Sequence, residues 1–265
     1  VVVADLHISL AAEEIFRLGP LVVTNTMAAS LVGSLIIFTL LYAAGRSVRI
    51  RPGGRLTQGV EAMSEVILGL IEQVTQNRAK AERFFPLLMT LFAFILVNNW
   101  LGLMPGVGSI TIQNSHGIVP LFRGATADLN TTIGLAIISV IMTQVYAVRE
   151  LGLLRHAKKY FSFNPILLFV GLLELVSDVS KLLSFSFRLF GNIFAGEVLL
   201  VVIAALAPAL APLPFLMLEL FVGLIQALVF TMLTLVFLEI ATTNHSSPAS
   251  HEVRSVEHEA SSVSG

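Results

Sequence analysis

Apolar residues in this chain gather into long runs, and polar residues cluster between them. The first run, 24–44, has about the 20 residues that a bilayer span requires. Others follow at 84–104, 129–147, 165–206 and 213–241. The segment 56–75 has a different pattern. Val60, Met63, Ile67, Leu70, Ile71 and Val74 recur at spacings of three and four, while Glu61, Glu65 and Glu72 lie toward the other side. That periodicity predicts an amphipathic helix lying at a membrane surface, with a soluble hairpin between spans as the alternative.

The last two runs are too long for upright spans. As a helix, the 42 residues of 165–206 extend about 63 Å, twice a hydrocarbon thickness of about 30 Å. The 29 residues of 213–241 extend about 44 Å. Between the two lies APALAPLP, where Pro208, Pro212 and Pro214 end one helix and start the next. The predicted form is a steeply inclined helical hairpin, suited to wrapping against another body in the same membrane. The fold class is therefore an all-α integral membrane protein. It has about five membrane-crossing helices plus an amphipathic surface helix, and ends in a long, steeply inclined helical hairpin.

Composition agrees. Of 265 residues, 55% are hydrophobic and only 12% charged, with 18 Phe; a soluble domain carries about 25% charged residues. The mean hydropathy is +0.87. The absence of cysteine excludes a disulfide framework and any thiolate metal site. A net charge of −1 gives no reason to expect nucleic-acid binding, and no cofactor or metal is expected. The chain opens on Val1 rather than Met, the expected mark of processing or trimming, and no signal-peptide pattern precedes the first run.

Basic residues set the expected orientation. Seven lie in 46–83 (Arg46, Arg49, Arg51, Arg55, Arg78, Lys80, Arg83), four in 149–162 (Arg149, Arg155, Lys158, Lys159), and Arg254 is in the tail. The other end carries only Arg17 and Arg123. The expected order is an outer segment 1–23, a span 24–45, a basic and amphipathic inner segment 46–83, a span 84–104, an outer loop 105–127, a span 128–148, a basic inner loop 149–164, the inclined hairpin 165–241 and a disordered tail 242–265. The N-terminus is expected outside and the C-terminus inside.

Ionisable groups inside such a hairpin are expensive and mark function. At 100° per residue, Glu174, Ser177, Lys181, Ser184, Arg188 and Asn192 all fall within about 40° of one direction. Glu197 points to the opposite side. Folding at Pro208 sets Arg188 against Gln226, since they lie 20 and 18 residues from the bend, and Glu197 against Glu219, both 11 away. Blander readings exist for single members: Lys181 as a snorkelling residue, Asn192 or Ser184 as helix–helix glue, Glu197 as a protonated structural acid, Arg188 as a salt-bridge partner. Taken together, the stripe and the two matched acids read as an ion path.

At these residues the chain resembles subunit a of the F-type ATP synthase. The resemblance rests on SFRLFGNIFAGE (186–197), LIQALVFTMLTLVFLEIA (224–241), PLFRGATADLNTT (120–132) and NNWLGLMPG (98–106), and it extends over about 20–245. It implies a proton-conducting stator subunit, not an enzyme on its own, forming two aqueous half-channels against a ring of c subunits. Arg188 would separate the half-channels. Asn192, Glu197, Glu219, Gln226 and Asn99 would line the outer one, and Glu174, Ser177, Lys181 and Ser184 the inner one. Implied partners are the c-ring, b-type peripheral-stalk subunits, the rest of the complex and the bilayer. The implied location is an energy-coupling membrane, the bacterial plasma membrane ahead of the mitochondrial inner or thylakoid membrane. Many relatives pair a His with a Glu where this chain has Glu197 and Glu219, so two close acids would share protons here. Asp178 and His116 receive no role. Sodium could replace the proton, and a secondary transporter is the competing class, although no internal repeat supports it.

Overall fold

A computed structural model describes residues 13–18, 21–46, 55–104, 111–114, 117–120, 123–152, 165–207 and 210–243. The described chain opens with a hairpin of β1 (Glu14–Leu18) and β2 (Leu21–Thr24), which runs into α1 (Asn25–Arg46). The amphipathic α2 (Arg55–Thr75) and the apolar α3 (Arg78–Gly102) follow. A second hairpin, β3 (Thr111–Asn114) with β4 (Gly117–Pro120), and a 3-10 turn (Ala125–Ala127) lead to α4 (Leu129–Leu151). The chain then forms α5 (Pro165–Leu206) and α6 (Pro212–Thr242). Five of these helices, α1 and α3–α6, are long and apolar enough to cross a membrane.

Local chemistry explains the boundaries. Gln76 takes a left-handed φ of 51° between α2 and α3, and the Asn77 side chain then accepts from Lys80 N at 3.2 Å. Helix α3 therefore starts at Arg78, six residues before the apolar run. Asp128 caps α4 by accepting from Asn130 N at 3.1 Å, and α4 stops before Gly152 at φ 83°. Pro212 sits in the first turn of α6, where a missing N–H costs nothing. Pro86 lies inside α3, a place where apolar surroundings and neighbouring helices make proline tolerable.

The core lies where α3, α4, α5 and α6 meet. Phe84, Leu88, Ile95, Ala136, Phe185, Leu189, Phe230, Leu235 and Leu238 are buried there, with Phe185 and Phe230 ring centroids 5.0 Å apart. Ile67 and Ile71 of α2 are buried in the same cluster, so the apolar face of the amphipathic helix packs onto protein while Glu61 and Glu65 stay exposed. Helix α5 is the exception. Only 17% of its apolar stretch is buried, against 56% of α3, so most of this helix presents apolar surface outward.

Two short hairpins and a 3-10 turn accompany the helices, in segments expected as an outer segment and a loop. Strands of four or five residues leave too short an alternation to be read reliably from sequence. Several expectations lie outside the described residues: most of the basic loop 149–164, the tail beyond 243, Pro208 at the bend, and His116.

Candidate functional site

The stripe on α5 is open to the surroundings. Ser177, Ser184, Arg188 and Asn192 are exposed, and Glu174 and Lys181 half-buried. Apolar residues flank it, among them Val176, Leu183 and Phe187, all about half exposed. Arg188 Nη2 donates to Ser184 Oγ at 3.4 Å, a weak contact one turn away along the same helix. The opposite face of α5 is packed, with Ser186 Oγ 3.2 Å from Thr132 Oγ1.

Near the α5–α6 bend, several polar residues converge on a cavity of about 190 Å³. Asn99 enters from α3, Glu197 from α5 and Glu219 from α6. Asn99 is fully engaged on both sides of its amide: Nδ2 donates to Gly223 O at 3.0 Å, and Oδ1 accepts from Thr126 Oγ1 at 2.7 Å. Its neighbour Trp100 donates from Nε1 to Leu220 O at 3.1 Å, so two consecutive residues of α3 stitch it to α6. Glu197 accepts from Arg123, at 3.2 Å from Nε to Oε1 and 3.4 Å from Nη2 to Oε2. Glu219 is buried against Gly196, where a Cβ would collide with its carboxyl group. Only glycine permits that approach, and it sets Glu219 beside the residue preceding Glu197.

Between this cavity and the middle of the hairpin, Asn192 Nδ2 donates to Gln226 Oε1 at 2.7 Å. The Gln226 Nε2 atom is buried without a hydrogen-bond partner.

The other end of the bundle carries a second polar group. Asp178 accepts from Lys181 Nζ at 2.8 Å and from Gln144 Nε2 at 2.9 Å. Lys181 Nζ also lies 4.8 Å from the Phe237 ring centroid. Glu174, Asp178 and Lys181 line a small cavity of about 30 Å³ with Ser139, Thr143 and Gln144. Nearby, Lys80 Nζ meets Glu239 Oε1 at 2.6 Å, and Arg83 pairs with Glu150.

The structure therefore brings Glu197, Glu219 and Asn99 to one cavity, and Glu174 and Lys181 to another. Arg188 makes no hydrogen bond to Gln226, which accepts instead from Asn192, one turn closer to the bend. The residue counts from Pro208 had a two-residue mismatch for Arg188 and Gln226, and a bend spread over several residues shifts the match by a turn. Glu197 and Glu219 share a cavity, but the carboxylate of Glu197 is engaged by a cation from elsewhere.

Arg123 enters the sequence pattern only as a loop charge, and Asp178 has no role in it. The signal for Asp178 was its spacing of three from Lys181, which places the two on one helix face. No local pattern announces Arg123, since its partner lies 74 residues away.

Comparisons with known proteins fit this architecture. A family model described as "ATP synthase A chain" matches residues 26–239. The chain is 30% identical over 225 residues to a Moorella thermoacetica protein named ATP synthase subunit a, covering 85% of this chain and 94% of that one. It is 33% identical over 216 residues to the chloroplastic ATP synthase subunit a of Stigeoclonium helveticum, covering 80% and 81%. It is 35% identical over 214 residues to the Campylobacter jejuni ATP synthase subunit a, covering 79% and 86%.

Proposed function

The chain belongs to the ATP synthase A chain family, and from that membership we propose that it is the proton-conducting stator subunit of a rotary F-type ATP synthase. One observation supports the reading above others. A permanently charged arginine stands exposed on an apolar helix face, between two polar clusters at opposite ends of the bundle.

In this reading the exposed face of α5 and α6 meets a ring of small subunits, each carrying a membrane-buried carboxylate. Protons from outside reach the cavity of Asn99, Glu197 and Glu219, then pass Gln226 and Asn192 to a ring carboxylate. Arg188 does two things there. Its guanidinium supplies a fixed positive charge. Facing a ring carboxylate, it favours the ionised form, so an arriving acid surrenders its proton. The same fixed charge repels a proton that would otherwise leak straight from one cluster to the other. Released protons leave past Ser184, Lys181, Ser177 and Glu174. Each elementary charge crossing 100 mV supplies about 2.3 kcal/mol, so several must pass for each ATP made.

The basic-residue count orients the chain with the Glu197–Glu219 cavity outside and the Glu174–Lys181 cavity inside. The bacterial plasma membrane is the proposed location, and b-type stalk subunits complete the stator. Chemistry at ATP belongs to other subunits.

The test is ATP-driven acidification of inverted membrane vesicles in sodium-free buffer. Arg188→Ala is expected to abolish acidification while the subunit remains assembled. Normal pumping by that variant would sink the separator role, and a strict sodium requirement would replace the proton with that ion.

A further inference from the structure

The proton path just described makes no use of Arg123. Yet its side chain is only 9% exposed, and its Cζ lies 5.9 Å from the Phe194 ring centroid. The segment carrying it is held close to the end of α3: a Cβ on Gly102 would come within 2.9 Å of Gly124 Cα. That closeness sets the guanidinium against Glu197, which it meets through Nε and Nη2.

Glu219 lies in the same cavity under different conditions. It is 6% exposed, and its Oε1 has no hydrogen-bond partner. The elements around the cavity contribute few charges. Among the described residues, α3 supplies only neutral Asn99, the segment before the 3-10 turn supplies Arg123, α5 supplies Glu197 and α6 supplies Glu219.

We propose that Arg123 is a positioning residue that holds Glu197 in a fixed ion pair, so that Glu219 alone takes up and releases the proton at this cavity. The inference rests on the proton-path reading above and divides the labour between its two acids. Neutralising Glu197 would take away the carboxylate that this buried guanidinium meets, a costly loss for a fixed charge with little of its surface open to solvent. Protonating or ionising Glu219 breaks no ion pair. The acid also lies against the Gly196 backbone on the hairpin that carries Gln226, the next polar group toward Arg188. One carboxyl group thus has a proton to exchange, and the other anchors the outer loop.

Two measurements on the intact complex in membranes test this. A hydrophobic carbodiimide adds to protonated carboxyl groups. At neutral pH, peptide mass spectrometry is expected to find Glu219 modified about tenfold more than Glu197, because only Glu219 is free of a cation. In Arg123→Gln the modification of Glu197 is expected to rise toward that of Glu219. Equal modification of both acids in the unaltered complex overturns the proposal, and this readout depends on no variant folding.

The second measurement is rescue. Glu197→Gln removes the carboxylate that the buried Arg123 side chain meets, so proton pumping is expected to fall about tenfold. Adding Arg123→Gln removes the buried charge that faced Glu197 and is expected to recover most of that loss. Glu219→Gln is not expected to be rescued by Arg123→Gln. If Glu197→Gln stays as defective with Arg123→Gln as without it, while Glu219→Gln and Arg188→Ala both abolish pumping, the division of labour is wrong and the proton path stands. If Glu219→Gln and Arg188→Ala both pump normally, the path and the division fall together.

Discussion

Asn192 Nδ2 donates to Gln226 Oε1 at 2.7 Å across the α5–α6 hairpin, and this bond leaves Arg188, one turn earlier, facing outward. The consequence is a division along α5. Asn192 ties the two arms together, whereas Arg188 makes a 3.4 Å contact to Ser184 and stays exposed. Disulfide trapping reads this directly, because the chain has no cysteine of its own. Asn192→Cys with Gln226→Cys is expected to crosslink readily in membranes, and Arg188→Cys with Gln226→Cys much more slowly. The reverse order would show that the arms are offset by a turn from the register described.

Arg188→Lys is expected to retain less than about a tenth of normal ATP synthesis, although it preserves the charge. An ammonium can lose its proton in a dry site and lacks the planar fork of the guanidinium. Because Arg188 is exposed in the chain, the amount of assembled subunit should not fall. Synthesis in energised vesicles, normalised to subunit content, checks this.

Glycine substitutions are expected to separate site geometry from helix stability. In Gly196→Ala the new methyl group would collide with the Glu219 carboxyl, so the acid must move or the arms must part. Overpacking of this kind costs about 1–3 kcal/mol, and proton pumping should drop with it. Gly223→Ala places a methyl group 3.2 Å from Asn99 Cβ, a milder crowding with an intermediate effect. Gly134→Ala meets nothing within 4 Å and should pump normally. Vesicle acidification by the three variants would be expected to rank them in that order.

Lys80 and Glu239 join the start of α3 to the end of α6 through a 2.6 Å ion pair whose side chains are 21% and 23% exposed. Removing the cation leaves a largely buried carboxylate behind. Lys80→Ala is therefore expected to destabilise the subunit by about 1–3 kcal/mol, partly screened by residual water. Lys80→Ala with Glu239→Ala should cost less than the sum of the single changes. Thermal inactivation of the detergent-solubilised complex measures the coupling.

Single cysteines test the two half-channels. Glu197→Cys is expected to react with an impermeant thiol reagent from the outer face only, and Ser177→Cys from the inner face only. Labelling of both from one side would remove the two-channel assignment.

The long helices were legible in the residue pattern because a bilayer imposes a crude requirement. Backbone groups without water must bond within their own segment, which leaves long apolar runs as the visible trace. The amphipathic α2 was legible for a similar reason, through the period of its apolar residues. Arg188 and its stripe stood out because a charge in such a run is costly enough to be rare. The hairpins β1–β2 and β3–β4 were not legible, since a few residues of alternation carry little periodic signal.

Pairing across the fold was a different matter. Spacing along one helix identifies neighbours through a known rotation per residue, so Glu174, Ser177, Lys181, Ser184 and Arg188 could be set on one face from their numbers alone. Which residue meets which across the bend depends on where the turn lies, how the arms incline and which glycines let them approach. Those are properties of packing, with no counterpart in local spacing. Gln226 therefore accepts its hydrogen bond from Asn192 and not from Arg188. Glu197 meets Arg123, 74 residues away, because the tight passage of Gly102 past Gly124 brings that guanidinium to it. The chain's pattern set acids within long apolar helices; only the folded arrangement decided which of them is already held by a cation.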